Sequence, residues 1–211
     1  MKLIKKVYHK IDNKIFDFCR KFRLKMKKRH LKNYDVTILC SDCIGGVIYH
    51  DFNLRFNSPT INLYIKPSEF VKFCKNLDFY LNCKLEQVNS NNRIIGKLKD
   101  INIVFLHYSS YKEAEKKWNE RVKRINKNNM CLIMTCKDGY TPKDIKDFDS
   151  LSFKNKIVFT PSKYNKYNSS YYIKGSDKGE EIKFLGTKTN HFGKKIIDDF
   201  DIVSFLNKVG E

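Results

Sequence analysis

Three side chains with nucleophilic or acid–base chemistry each end or follow a short apolar run of the sequence: Cys43, His107 and Asp138. If these runs are parallel strands, their carboxyl ends share one edge of the sheet, where open α/β folds bind ligands. The pattern then predicts a catalytic cleft in which the thiol is the nucleophile and the imidazole its base. The alternative interpretation is structural, with Cys43 filling a turn and His107 bonding a backbone carbonyl.

The segment around the thiol adds polar groups and two glycines. Ser41 and Asp42 precede Cys43, and Gly45 and Gly46 follow it. Glycines let a ligand approach the backbone, where N–H groups would lower the pKa of the thiol or hold an oxyanion. We therefore expect these four neighbours of Cys43 to bind substrate.

The recognised phosphate and metal motifs are absent from the sequence. The Gly-Gly pair is neither a GxGxxG fingerprint nor a P-loop. Cys40 and Cys43 form a single C-x-x-C with no second pair at zinc spacing, so no metal is expected.

A long amphipathic segment at 110–128 carries two further candidates. Arg121 follows Trp118 by one turn, and a guanidinium group is suited to holding a phosphate or a sugar nucleotide. We therefore add Trp118 and Arg121 to the expected substrate-binding residues. The alternative is an ordinary solvated helix face with ion-paired arginines.

Apolar runs that alternate with amphipathic segments must position these side chains. The runs lie at 35–41, 61–65, 94–98, 101–108, 130–135 and 157–160. The stretch 101–135 has the length of one βαβ unit. This alternation predicts an α/β fold with a mostly parallel sheet and helices on both faces. Residues 163–195 are polar and weakly patterned, which predicts a flap or an edge hairpin with a turn at 176–181.

The N-terminal segment is unusually basic. Residues 1–33 hold thirteen Lys/Arg against two Asp, out of a net charge of +19 for 211 residues. Within them, residues 3–26 have an apolar face opposite a lysine face. We therefore predict two units, an amphipathic helical arm at 1–33 and one α/β domain at 34–211. The arm is expected to lie on an anionic membrane surface, although a helix packed on the domain with its charges exposed is the alternative.

Composition sets the compartment and narrows the partners. Seven cysteines, most inside apolar runs, indicate a reducing environment. No segment has the roughly twenty apolar residues of a spanning helix, so we expect a cytoplasmic protein, peripheral on the inner face of the cell membrane. Nucleic acid is not an expected partner, because no RNA-binding aromatic motif accompanies the charge.

Four strings resemble the signatures of a bacterial family numbered 1919 among domains of unknown function. They begin at Ser41, Asn57, His107 and Asn155, and lie in order within 35–162. The family pattern usually has Asn where this chain has Asp42. The second and third strings contain Ser58, Thr60 and Tyr108, which the resemblance adds to the expected substrate-binding residues.

The resemblance implies a Rossmann-like fold and a role in surface-glycan assembly. Members often lie in exopolysaccharide or capsule loci, and some are labelled as acyl- or acetyltransferases. This implies a transferase acting on a glycan or its lipid-linked precursor, with acyl-CoA or a sugar nucleotide as the donor. The alternative is a non-catalytic scaffold that tethers the glycan machinery to the membrane.

Overall fold

A computed structural model describes residues 2–174, 176 and 181–211, with only the main chain of residues 2–10. Its helices are α1 (Lys2–Lys28), α2 (Ile44–Phe52), α3 (Pro67–Lys75), α4 (Leu77–Asn82), α5 (Tyr111–Val122), α6 (Pro142–Asp149) and α7 (Ile202–Asn207), with a 3₁₀ turn at Ile196–Asp199. Its strands are β1 (Thr37–Cys40), β2 (Leu63–Tyr64), β3 (Glu86–Val88), β4 (Ile94–Leu98), β5 (Ile101–Phe105), β6 (Met130–Thr135), β7 (Lys156–Thr160) and β8 (Ser170–Tyr172).

A parallel sheet forms the centre of the molecule, with strands in the order β1-β6-β7-β8. Every residue of β1 and of β6 is buried, which explains their unbroken apolar sequences. One apolar cluster includes Phe73, Trp118 and Phe148, and a second includes Tyr49, Phe159 and Leu206. The predicted α/β class is confirmed, with the Rossmann-like description holding approximately.

A second, antiparallel sheet has the order β2-β5-β4-β3. The predicted hairpin of β4 and β5 is present, with Lys99 in the left-handed conformation at its turn. The predicted βαβ unit across 101–135 is wrong, because β5 pairs with β2 and β4 while β6 pairs with β1 and β7. The alternating burial along β5, with Asn102 exposed between buried Ile101 and Ile103, is typical of a strand with one solvated face.

The C-terminal third gives the sheet an edge strand and a docked loop. Within the segment predicted as a flap or hairpin, β8 joins β7 in parallel. A single antiparallel bridge then joins Lys188 to Lys195. Most of the turn predicted at 176–181 lies outside the described residues.

Helix α1 packs on the domain with one face. Phe16 and Leu24 are buried, and the buried Arg20 pairs with Asp51 at 2.5 Å and with Asp198. Among the described residues, no helix is both long and apolar enough to cross a bilayer.

Candidate functional site

A cleft of about 810 Å³ opens between the two sheets and contains the three predicted catalytic residues, Cys43, His107 and Asp138. The turn between β1 and α2 supplies Cys43, the segment after β5 supplies His107, and the loop after β6 supplies Asp138. His107 reaches this edge although β5 belongs to the antiparallel sheet, because that sheet is joined to the end of β1. The join is a hydrogen bond of 2.9 Å from the Ile65 N–H to the Ser41 carbonyl.

The Cys43 thiol is not activated in this structure. Burial raises its pKa to about 11, the charge of Asp42 adds to the increase, and Lys137 opposes it. The sulfur lies 3.8 Å from the Leu63 carbonyl. The prediction that backbone N–H groups lower this pKa is wrong, because the neighbouring Asp42 takes up the Ile44 N–H at the start of α2.

Asp42 is the residue of the cleft whose hydrogen bonding is incomplete. Its Oδ1 accepts hydrogen bonds from the Ile44 N–H at 3.0 Å and from the Cys40 thiol at 3.5 Å. Its Oδ2 is buried and has no hydrogen-bond partner among the described residues. Burial raises the pKa of this carboxyl, against the opposing effects of the Ile44 N–H and Lys137. A buried oxygen without a partner is costly, so this atom favours a proton or a nearby hydrogen-bond donor.

Thr135, at the end of β6, is a second residue near Asp42 whose hydrogen bonding is incomplete. Its hydroxyl is buried without a hydrogen-bond partner among the described residues. It lies near Asp42 and lowers that pKa slightly, although it does not reach hydrogen-bond geometry. Ser41, expected to bind substrate, is instead occupied within the fold, because its Oγ accepts the Thr135 N–H at 3.2 Å.

Gly45 and Gly46 serve packing in this structure and do not line the cleft. Both are buried in the first turn of α2. A Cβ on Gly45 would lie 2.8 Å from Cys40 Cβ, and one on Gly46 would lie 3.2 Å from Asn62 Oδ1. The expected approach of a ligand to their backbone is therefore wrong, because Cys40 fills the space at Gly45 and Asn62 fills the space at Gly46.

Ser58 and Thr60 are completely buried beside β1 and away from the cleft lining. The Thr60 hydroxyl accepts the Cys40 N–H at 2.8 Å and lies 3.0 Å from Ser58 Oγ. The Thr60 hydroxyl thus gives a hydrogen-bond partner to a main-chain N–H at the edge of β1, and Ser58 bonds to that hydroxyl. Their expected substrate-binding role is corrected to a structural one, since both are already bonded.

Tyr108, Trp118 and Arg121 are likewise engaged within the fold and absent from the cleft lining. Arg121 donates to the Tyr108 hydroxyl at 2.7 Å and lies over the Phe56 ring at 5.3 Å. Tyr108 in turn donates to the Ile61 carbonyl at 2.8 Å, and Trp118 is buried in the core. Their expected ligand contacts are corrected, because Tyr108 and Arg121 bond to groups of the fold and Trp118 is packed in the core away from the cleft.

Sequence reasoning missed three cations and two aromatic rings that line the cleft: Lys66, Arg93, Lys137, Tyr64 and Phe184. The position of Lys137, two residues after the end of the buried strand β6, was a usable signal. Arg93 and Phe184 come from distant segments that only the fold brings together. Lys137 is paired with Asp138 at 3.2 Å, whereas Lys66 and Arg93 have no carboxylate at salt-bridge distance among the described residues.

Comparison with known proteins agrees with the four sequence signatures. The chain matches the family described as Domain of unknown function (DUF1919) over residues 14–207. This match takes in the C-terminal half of α1 and nearly all of the tail, which lie outside the signatures. A protein of Haemophilus influenzae Rd, named as uncharacterized, is 39% identical over 201 residues, which is 95% of this chain and 98% of that protein. The chain therefore belongs to the DUF1919 family.

Proposed function

We propose that the cleft transfers a group from an activated, phosphate-bearing donor to a glycan or its lipid-linked precursor during cell-surface polysaccharide assembly. Lys66, Arg93 and Lys137 give the cleft a wall suited to phosphate oxygens. Tyr64 and Phe184 offer aromatic surface for a base or a sugar ring. The volume of about 810 Å³ is within the range of small-molecule sites. Sugar nucleotides and CoA thioesters both combine phosphates with a base.

The observation that carries the proposal is the buried Asp42 Oδ2 without a hydrogen-bond partner among the described residues. Because the family pattern usually has Asn at this position, the role of base is proposed for this chain and not for the family as a whole. Asp42 takes the proton of an acceptor hydroxyl while that oxygen forms a bond to the electrophilic carbon of the donor. The bond from this carbon to the leaving group breaks, and the leaving group keeps the electron pair. The cations stabilise a departing phosphate, and His107 at the rim protonates a departing thiolate.

Cys43 has a secondary role in this proposal. With a pKa of about 11, its thiol is protonated at neutral pH and is a poor nucleophile. Direct transfer to the acceptor, without a covalent enzyme intermediate, therefore agrees best with the charges around the cleft.

The test is to incubate the purified chain with UDP-sugars or acetyl-CoA and a glycan acceptor, and to follow the product by mass spectrometry. We expect one donor class to bind and react, and Asp42→Asn to keep binding while losing transfer. The proposal is contradicted if neither donor class binds, or if Asp42→Asn transfers as fast as the wild type. Complementation in cells distinguishes an enzyme from a non-catalytic scaffold. A deletion strain that carries Asp42→Asn should make no polysaccharide if the protein is an enzyme, and normal polysaccharide if it is a scaffold.

We also propose that this chemistry takes place at the inner face of the cell membrane. The support is helix α1, which leaves Phe18 and Phe22 exposed on a strongly basic segment. A membrane location would bring a lipid-linked acceptor within reach of the cleft.

A further inference from the structure

Helix α1 carries two separate apolar faces. Phe16 and Leu24 are buried against the domain, whereas a second set points to solvent. The exposed set recurs every three or four residues and forms one stripe: Ile11, Ile15, Phe18, Phe22 and Met26. Phe18 is 75% exposed and Phe22 is 64% exposed, so the stripe is a large apolar patch without a partner in the described part of the chain.

The ion pairs beneath α1 hold this stripe outward. Arg20 binds Asp51 and Asp198, and Lys27 binds Asp198 at 2.7 Å. On the same side, Gly193 has a positive φ of 76° and contacts the Arg20 backbone so closely that a Cβ would collide with it. Because rotating α1 would break these buried contacts, the exposed stripe is a fixed feature of the folded protein.

A cationic groove runs beside the stripe. It has a volume of about 1040 Å³ and lies between α1, the end of α2 and the loop that bears Lys188 and Lys195. Seven cations line it against two carboxylates, Asp17 and Asp51. Five of the cations have no carboxylate at salt-bridge distance among the described residues: Lys21, Lys25, Lys28, Arg29 and Lys188.

The helical spacing places these cations at a boundary. At about 100° per residue, Lys21, Lys25 and Lys28 form a row between the buried face and the exposed stripe. A phosphate in the groove would therefore lie directly beside the apolar side chains. This order of charge next to hydrocarbon matches the order of headgroup and acyl chain at the surface of a bilayer.

We infer that the groove binds the phosphate of an anionic membrane phospholipid while the stripe from Ile11 to Met26 enters the acyl-chain boundary. The inference deepens the proposed membrane location and is independent of the chemistry in the cleft. Nucleic acid would use the cations but leave Phe18 and Phe22 in water. A second copy of the chain would bring the same positive charge against itself.

Vesicle sedimentation with the full chain provides the first test. Vesicles of phosphatidylcholine alone are compared with vesicles that also contain phosphatidylglycerol or phosphatidic acid. We expect strong binding only to the anionic vesicles. Phe18→Ser with Phe22→Ser should weaken that binding at least about tenfold, because two exposed apolar side chains are lost.

A matched pair of lysine variants tests the groove. Lys21→Gln with Lys25→Gln removes two groove cations one turn apart and should weaken binding to anionic vesicles about 30-fold. The control, Lys112→Gln with Lys116→Gln, removes two exposed cations at the same spacing on α5 and should change binding little. Equal losses in the two pairs would overturn the groove, while the loss in the phenylalanine variant would still support a membrane location.

Amide spectra distinguish the lipid from free phosphate. Dioctanoyl phosphatidic acid, added below its micelle concentration, should shift the amides of His50 and of residues 188–195 in a saturable way. Inorganic phosphate at the same concentration should leave them in place. Equal shifts with inorganic phosphate, or no shift with the lipid, would overturn the inference.

Discussion

The cleft and the junction beside β1 contain similar kinds of polar side chain in opposite states. At the junction, which comprises Ser58, Thr60, Tyr108 and Arg121, each polar group bonds within the fold. In the cleft, Asp42 Oδ2 is buried without a hydrogen-bond partner among the described residues. Both regions contain residues of the family signatures. This difference indicates how to sort signature residues. A polar side chain that is fully bonded within the fold is a structural residue, whereas a buried polar atom without a partner is a candidate for ligand binding.

Asp42→Asn should produce the largest change in activity. Loss of the proposed base is expected to lower the transfer rate by a factor of about 10² to 10⁴, measured at saturating donor. The fold should survive, because the amide oxygen can still accept the Ile44 N–H. A variant with full activity would remove the distinction between cleft and junction.

The stability of the same variant should depend on pH. The folded-state pKa of Asp42 is raised above its ordinary value of 3.8, so the native state retains a proton that the unfolded chain has lost. Stability of the wild type therefore falls as pH rises through that window. Asp42→Asn lacks this penalty, so its advantage in Tm should grow as pH rises from below 3.8 towards neutrality. A constant difference across pH would contradict the raised pKa.

Thr60→Val should show the opposite effect, on stability and not on chemistry. The buried Cys40 N–H would lose its acceptor, which is expected to cost about 1–3 kcal/mol in the free energy of unfolding by urea. Thr187→Val, at an exposed position, is the control. Donor binding by the folded variant should be unchanged, and loss of binding without loss of stability would assign the junction to the site.

Lys137→Gln should weaken donor binding about tenfold in calorimetry, because one phosphate-binding cation is removed from the cleft. It should also raise the pKa of Asp42 further, since Lys137 lowers that pKa. Lys143→Gln on α6 removes a more exposed cation and should bind donor as the wild type does. Equal affinity in both variants would exclude the cationic wall from binding.

Cys43→Ala should have the smallest effect, with a rate change below about threefold, because a thiol of pKa about 11 carries little charge at neutral pH. The rate at which iodoacetamide labels Cys43 in the wild type checks the pKa. Labelling should be slow at neutral pH and should speed up about tenfold per pH unit as the pH approaches 11. An inactive Cys43→Ala variant that still binds donor would restore the nucleophilic role.

Sequence patterns predicted three of the four parallel strands, because runs such as Thr37–Cys40 are fully buried and contain only residues suited to burial. They missed β8, whose three half-buried residues lie in a polar segment. They failed at β5, where alternation around Asn102 indicated an antiparallel strand. Cys43 and His107 line one cleft as predicted, but for another reason, because the antiparallel sheet that bears His107 is joined to the end of β1.

The incomplete hydrogen bonding of Asp42 could not be predicted from the sequence. Whether a donor lies near its Oδ2 depends on all the side chains that the fold brings around it. The packing role of Gly45 was equally hidden, since it depends on how closely α2 approaches Cys40. Arg93 joined the cleft through a contact between distant segments, which leaves no local trace in the sequence.

Helix α2 has one end in each of the two binding regions. Asp42 and Cys43 at its start face the cleft, while His50 and Asp51 at its end line the groove beside α1. The helix has nine residues and is roughly 13 Å long. The buried pair of Arg20 with Asp51 therefore fastens α1 to the same short helix whose first turn positions Asp42.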